Sequence, residues 1–114
     1  MAQQTDKIDL LRGTLDMLIL RTLQLGRAQG HQIARHIQRS TDDVLQIEHG
    51  SLYPALHRLE RKGWLASKCD DDDGGRELKY YRLTPGGKRQ LAAEESKWRH
   101  LVRAISKVAA RSES

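Results

Sequence analysis

The segment Gly50-Ser51-Leu52-Tyr53-Pro54-Ala55-Leu56-His57-Arg58-Leu59-Glu60-Arg61-Lys62-Gly63 constrains this chain more than any other. Leu52, Ala55, Leu56 and Leu59 recur at helical spacing on one side, while Tyr53, Pro54, His57, Arg58 and Arg61 line the other. One face packs, and the other is free to touch a polyanion. Ser51 can cap the first turn with its hydroxyl, Pro54 is tolerated where an early N–H lacks a partner, and Gly63 suits the end. The spacing therefore predicts a helix with a defined start and stop. Downstream, Lys79-Tyr80-Tyr81-Arg82-Leu83-Thr84 has the composition of a strand, so the helix is expected to run into a β-wing.

At 114 residues the chain supports one folded body with a modest core and no large catalytic cavity. Its 20 Lys and Arg against 15 Asp and Glu give +5 and a pI near 9.7, which favours an anionic partner: DNA, RNA or a membrane surface. No apolar run reaches the roughly 18 residues of a transmembrane helix, and Asp6 and Asp9 do not fit the layout of a signal peptide. A soluble, cytoplasmic protein is expected. The single Cys69 excludes an internal disulfide and cysteine-rich metal sites. It reads as an ordinary thiol at a strand end, with a redox role as the alternative.

Leu10 to Leu25, with Leu11, Leu15, Leu18, Ile19 and Leu23, reads as a broadly apolar helix ended by Gly26, buried on more than one side. A second helix is expected from His31 to about Ser40, with Ile33, Ala34 and Ile37 inward and Arg35, His36 and Arg39 outward. Val44 to Ile47 is compatible either with a short strand or with a direct lead into the third helix at Ser51. Trp64 to Lys68 and Lys79 to Leu83 flank Asp70-Asp71-Asp72-Asp73-Gly74-Gly75, a turn by composition, and make an antiparallel hairpin. Thr84 as N-cap and Pro85 at the first position open a last helix to about Ala110.

In that last helix Leu91, Trp98 and Ile105 recur every seven residues, with Leu101, Val102, Val108 and Ala109 alongside, although Glu94 and Glu95 interrupt the pattern. A helix this long has no partner of equal length in the chain. The stripe is expected to pack against a second copy, the alternative being that it folds back on its own domain. The fold class is thus mainly α with a small β-hairpin: a winged helix-turn-helix unit over 1–84 and a C-terminal dimerisation helix over 85–114.

In order and spacing, Leu11-Arg12-Gly13-Thr14-Leu15-Asp16, Gly30-x-x-Ile33-Ala34, Gly50-Ser51-Leu52-Tyr53-Pro54-Ala55-Leu56, and Gly74-Gly75-Arg76 followed by Lys79 to Thr84 resemble the PadR family of transcriptional regulators. The resemblance covers nearly the whole chain, and the single helix after the wing is similar to the short subgroup. It implies a homodimeric repressor of an inverted-repeat operator, commonly relieved by a small molecule or stress. The family pattern is departed from in two places. Glu77 and Leu78 stand where another basic residue is common, in a wing tip that also carries Asp70 to Asp73, and His31 stands where an aromatic is common. The acidic tip is expected to lean away from DNA or contribute little.

For such a protein, phosphate neutralisation falls to Arg35, Arg39, Arg61, Lys62, Arg76 and Lys79, with a steep salt dependence. Base edges would be reached from the first turns of the recognition helix by Ser51, Tyr53, Pro54, His57 and Arg58, with Arg58 placed for a bidentate guanine contact. Each arginine can instead be a solvated surface charge, and Tyr53 can pack under the second helix. Leu91, Trp98, Leu101, Val102 and Ile105 are the candidate dimer residues. Some multidrug-binding relatives resemble one another in carrying an aromatic at the position of Trp98, which implies a site for a small planar hydrophobic effector. A plain dimer-core role is the alternative.

No nucleophile, base and orienter set, glycine-rich phosphate loop or metal cluster is visible, so neither an enzyme nor a cofactor is expected. His31, His36, His49, His57 and His100 lack paired ligand spacing, and Asp70 to Asp73 lacks the ligand pattern of an EF-hand. The serious rival is a winged-helix interaction module without sequence-specific DNA binding. Membrane-surface binding through Lys97, Arg99, Arg103, Lys107 and Arg111 explains the apolar stripe less economically than self-association.

Overall fold

A computed structural model describes residues 12–71 and 74–111. Its first helix, α1 (Arg12–Leu23), is the hub of the fold. Leu15, Met17, Ile19, Leu20 and Leu23 are all buried, and no single face accommodates them. Accordingly α1 touches four elements: α2 (Gly30–Ser40), α3 (His49–Arg61), β2 (Glu77–Leu83) and α4 (Pro85–Arg111). This is the burial on several sides that the apolar breadth of the segment predicts. Leu10 and Leu11, assigned to the same helix, lie outside the described residues.

Helix α2 is amphipathic as expected, with Ile33 and Ile37 buried and Arg35, His36 and Arg39 exposed. Its N-terminus is closed by the Gln29 N–H donating to Gln32 Oε1 at 2.8 Å. At its other end the Thr41 hydroxyl donates to the Ile37 carbonyl and accepts from the Leu45 N–H, both at 3.0 Å. Asp42 and Asp43 then take left-handed backbone, at φ 51° and 68°, which a short polar side chain tolerates better than most. The choice left open for Val44 to Ile47 is resolved: the segment forms no strand and leads irregularly into α3.

Helix α3 begins earlier than expected. Its N-cap is Glu48, and the Ser51 N–H donates to the Glu48 carbonyl at 3.0 Å, so Ser51 sits inside the first turn and does not cap it. Pro54 consequently lies within the helix, where it has no N–H to offer the Gly50 carbonyl. The C-terminus ends as the sequence indicates. Gly63, at φ 81°, donates to Glu60 O at 3.0 Å and Trp64 donates to Leu59 O at 3.1 Å, the paired bonds of a Schellman stop.

Strand β1 (Leu65–Asp71) pairs antiparallel with β2, from Leu65 opposite Leu83 to Asp71 opposite Glu77. Both strands are longer than expected: Cys69, Asp70 and Asp71 continue β1, so that Asp70 and Asp71 do not form the turn, and Glu77 and Leu78 begin β2. Asp72 and Asp73 lie outside the described residues. A further edge comes from the α1–α2 connection, where Ala28 and Tyr81 exchange backbone bonds of 3.0 and 2.8 Å.

Thr84 caps α4 as predicted, its hydroxyl donating to Gly63 O at 2.6 Å and accepting from the Gly87 N–H at 3.0 Å. One side chain therefore closes the stop of α3 and the start of α4 together. The first turns of α4 pack on the core through Gly87 and Leu91. Glu95 still meets Arg21 of α1 at 3.7 Å; farther along, the helix draws away from the body and accounts for a molecule of 62 × 35 × 20 Å.

Candidate nucleic-acid interface

Helix α3 buries Leu52, Ala55, Leu56 and Leu59 on one face, and this fixes what its opposite face presents. At 100° per residue the opposite meridian carries Gly50, Pro54, His57 and Arg61. All four are exposed, and Ser51 is exposed on the flank. A proline, a glycine, an imidazole and a guanidinium on one stripe leave a low ridge that can enter a groove. Gly50 is not among the residues that the sequence assigns to DNA contact. Nothing in the protein lies within 4 Å of where its Cβ would be, so no internal packing demands glycine there. A close approach of an outside surface to the backbone would.

Two residues expected on that face are committed elsewhere. The Arg58 guanidinium donates to Asp16 of α1 in a pair whose side chains are 19% and 12% exposed. It ties α3 to α1, so the guanidinium is held inside the protein by Asp16. Tyr53 is half-buried beside α2: a Cβ on Gly30 would come within 2.8 Å of its ring, and His49 meets the ring edge-on at 5.6 Å. This is the packing role foreseen as the alternative for Tyr53, and it explains why Gly30 opens α2.

Arg35, Arg39, Arg61, Lys62, Arg76 and Lys79 are all exposed. Lys62 places Nζ 4.9 Å from the centre of the Trp64 ring, and Lys79 places Nζ 5.3 Å from that of Tyr81. Both ammonium groups are thereby steered by aromatic faces while staying in water. The hairpin is fastened to α3 by Ser67 Oγ donating to Glu60 Oε2 at 2.6 Å.

One side chain that sequence reasoning missed is Arg27. It reaches Asp70 at 2.5 Å and lies 4.2 Å over the Tyr80 ring. The hydrogen bond from Arg27 holds the Asp70 carboxyl below its usual range, and the same bond raises Arg27. No local signal could have revealed a pair separated by 43 positions. The first carboxylate of the acidic run is thus spoken for within the protein.

On α4 the expected dimer stripe divides. Leu91 is 1% exposed and belongs to the monomer core, which corrects its assignment to the dimer face. Trp98, Leu101, Val102, Ile105 and Val108 remain between 41% and 69% exposed. Beneath Trp98 an open cavity of about 230 Å³ is lined by Gly13, Thr14 and Met17 of α1 and by Glu94, Lys97 and Leu101 of α4. Among the described residues there is no group of three or more potential metal ligands, and no helix is long and apolar enough to cross a membrane.

Residues 19–93 match the family model of PadR-like transcriptional regulators. The chain belongs to the PadR family. A protein of Lysinibacillus sphaericus, described as uncharacterized protein X, is 34% identical to this PadR chain over 90 residues, covering 79% of it and 83% of the relative. Among solved structures, a transcriptional regulator from Clostridium thermocellum superposes with a TM-score of 0.77 at 31% identity, covering 84% of this chain and 93% of that one. A PadR family transcriptional regulator from Eggerthella lenta gives 0.72 at 37%, covering 86% and 83%. The winged-helix arrangement with a long C-terminal helix is therefore that of PadR-like regulators, as the sequence resemblance implies.

Proposed function

We propose that this PadR regulator is a homodimeric repressor that binds double-stranded DNA at an inverted repeat, with the Gly50, Pro54, His57 and Arg61 ridge of α3 in the major groove. The observation that carries the reading is the exposure of this ridge on a helix whose other face is wholly buried. Arg35 and Arg39 on one side and Arg76 and Lys79 on the wing supply phosphate contacts, and Ser51 flanks the base-reading turn. Fluorescence anisotropy of the purified protein with the duplex upstream of its own gene, against a scrambled duplex, tests it. Preferential binding that weakens linearly in log salt is expected; equal, weak binding to both duplexes contradicts it and favours a protein-interaction module.

The distal half of α4 is the dimerisation arm, with Trp98, Leu101, Val102 and Ile105 against the same residues of a second copy. The DNA-reading unit runs through residue 84 and the arm from 85, the first turns of α4 serving both. The cavity under Trp98 suits a small planar apolar effector that would relieve repression. Titration with planar aromatic compounds should quench the intrinsic fluorescence in wild type and leave Trp98→Ala unquenched, since Trp64 then remains alone. Equal quenching of the two proteins contradicts the site.

A further inference from the structure

The geometry points to Arg27 and Asp70 as positioning residues for DNA binding: their ion pair sets the angle of the wing, so Asp70 aids binding although it adds negative charge. The inference rests on the DNA-binding reading above. A two-stranded hairpin has little stability of its own. Here the proximal half is fixed by the burial of Leu65 and Tyr81, by the Ala28–Tyr81 bridge and by Ser67 on Glu60. Beyond Tyr81 the strands run outward, with Lys79, Cys69 and Asp71 all exposed. Arg27 reaches this distal half from the helical body. Its guanidinium grips Asp70 on β1 and stacks over Tyr80 on β2, so one side chain crosses both strands of the wing. Because the neighbouring Ala28 is already locked to Tyr81 by two backbone bonds, Arg27 has a fixed base from which to hold the wing. Arg76 and Lys79, the candidate phosphate contacts of the wing, ride on the element so held.

Two simple ideas predict opposite signs for the same substitution. If Asp70 acts only as a charge near phosphates, Asp70→Asn tightens DNA binding. If it holds the wing, Asp70→Asn weakens binding by roughly three- to tenfold, the scale of losing one or two phosphate contacts. The probe is a duplex selected from a random pool by the wild-type protein, read by anisotropy at constant salt. Asp71→Asn, which removes the neighbouring charge on the opposite side of the strand, is the electrostatic control and should bind as well as wild type or better. The charge-swapped double variant, Arg27→Asp with Asp70→Arg, should recover affinity. Because the pair is exposed, the thermal midpoint should be unchanged in every variant, which separates positioning from global destabilisation.

Asp70→Asn binding as tightly as wild type, or a swap that recovers nothing, overturns the proposal. Amide hydrogen exchange of β1 and β2 in the free protein is independent of any DNA. Faster exchange in Asp70→Asn supports the clamp even where selection yields no preferred duplex and the DNA reading itself fails. Unchanged exchange overturns the clamp whatever the DNA result.

Discussion

Asp16 and Arg58 illustrate how one residue pair can decide what a helix offers. Both are largely out of water, and removing one partner strands the other's charge. Asp16→Ala should therefore cost about 3 kcal/mol in chemical denaturation; a cost below about 1 kcal/mol would mean that the pair behaves as a surface bridge. The partners lie 42 positions apart, which is why Arg58 reads from sequence as one more outward arginine. Gly87 is as constrained. A Cβ there would fall 2.1 Å from the Trp64 carbonyl oxygen, a backbone atom that cannot swing away. Gly87→Ala should lower stability by about 1–3 kcal/mol or more, read as a shift in denaturation midpoint. Asp70 adds a pH signature. Its carboxyl is depressed by Arg27, so the pair's contribution is present above the ordinary aspartate pKa and disappears as pH falls through the lower, folded value. Wing hydrogen exchange, corrected for its intrinsic pH dependence, should thus be the same at neutral pH and at about pH 5.

At the scale of elements, the parts legible in the sequence are those governed by local chemistry. Thr84 and Pro85 announce α4, Gly63 ends α3, and the 3.6-residue pattern of α2 assigns its faces, because each signal acts within a few residues. The same logic misplaces the start of α3: Ser51 is a good cap in isolation, but the chain turns helical at His49, and Ser51 falls in the first turn. Heptad spacing in α4 likewise places Leu91 and Trp98 on one stripe and cannot say which meets the body and which leaves it. The division has a consequence. Since Leu101 and Ile105 are exposed in the monomer, Leu101→Glu with Ile105→Glu should abolish dimerisation in analytical ultracentrifugation while leaving helical circular dichroism intact. Loss of the fold would instead place these residues in the core.

At the scale of the whole molecule, the body fixes α3, the hairpin stands beside it and the distal half of α4 projects as an arm. Two copies joined through their arms would present two α3 ridges, and sites one helical turn, roughly 34 Å, apart would admit both. Spacing between the copies then becomes the variable that an effector bound under Trp98 could alter. The arrangement makes the α3 ridge the indispensable part, and it can be tested alone. Salt-dependent anisotropy of wild type, His57→Ala and Arg61→Ala on the upstream duplex and its scrambled counterpart is the most direct measurement. The account predicts that Arg61→Ala lowers the log–log salt slope by about one per protomer on both duplexes, whereas His57→Ala loses the preference for the upstream duplex. Slopes and preference identical in all three proteins would contradict it.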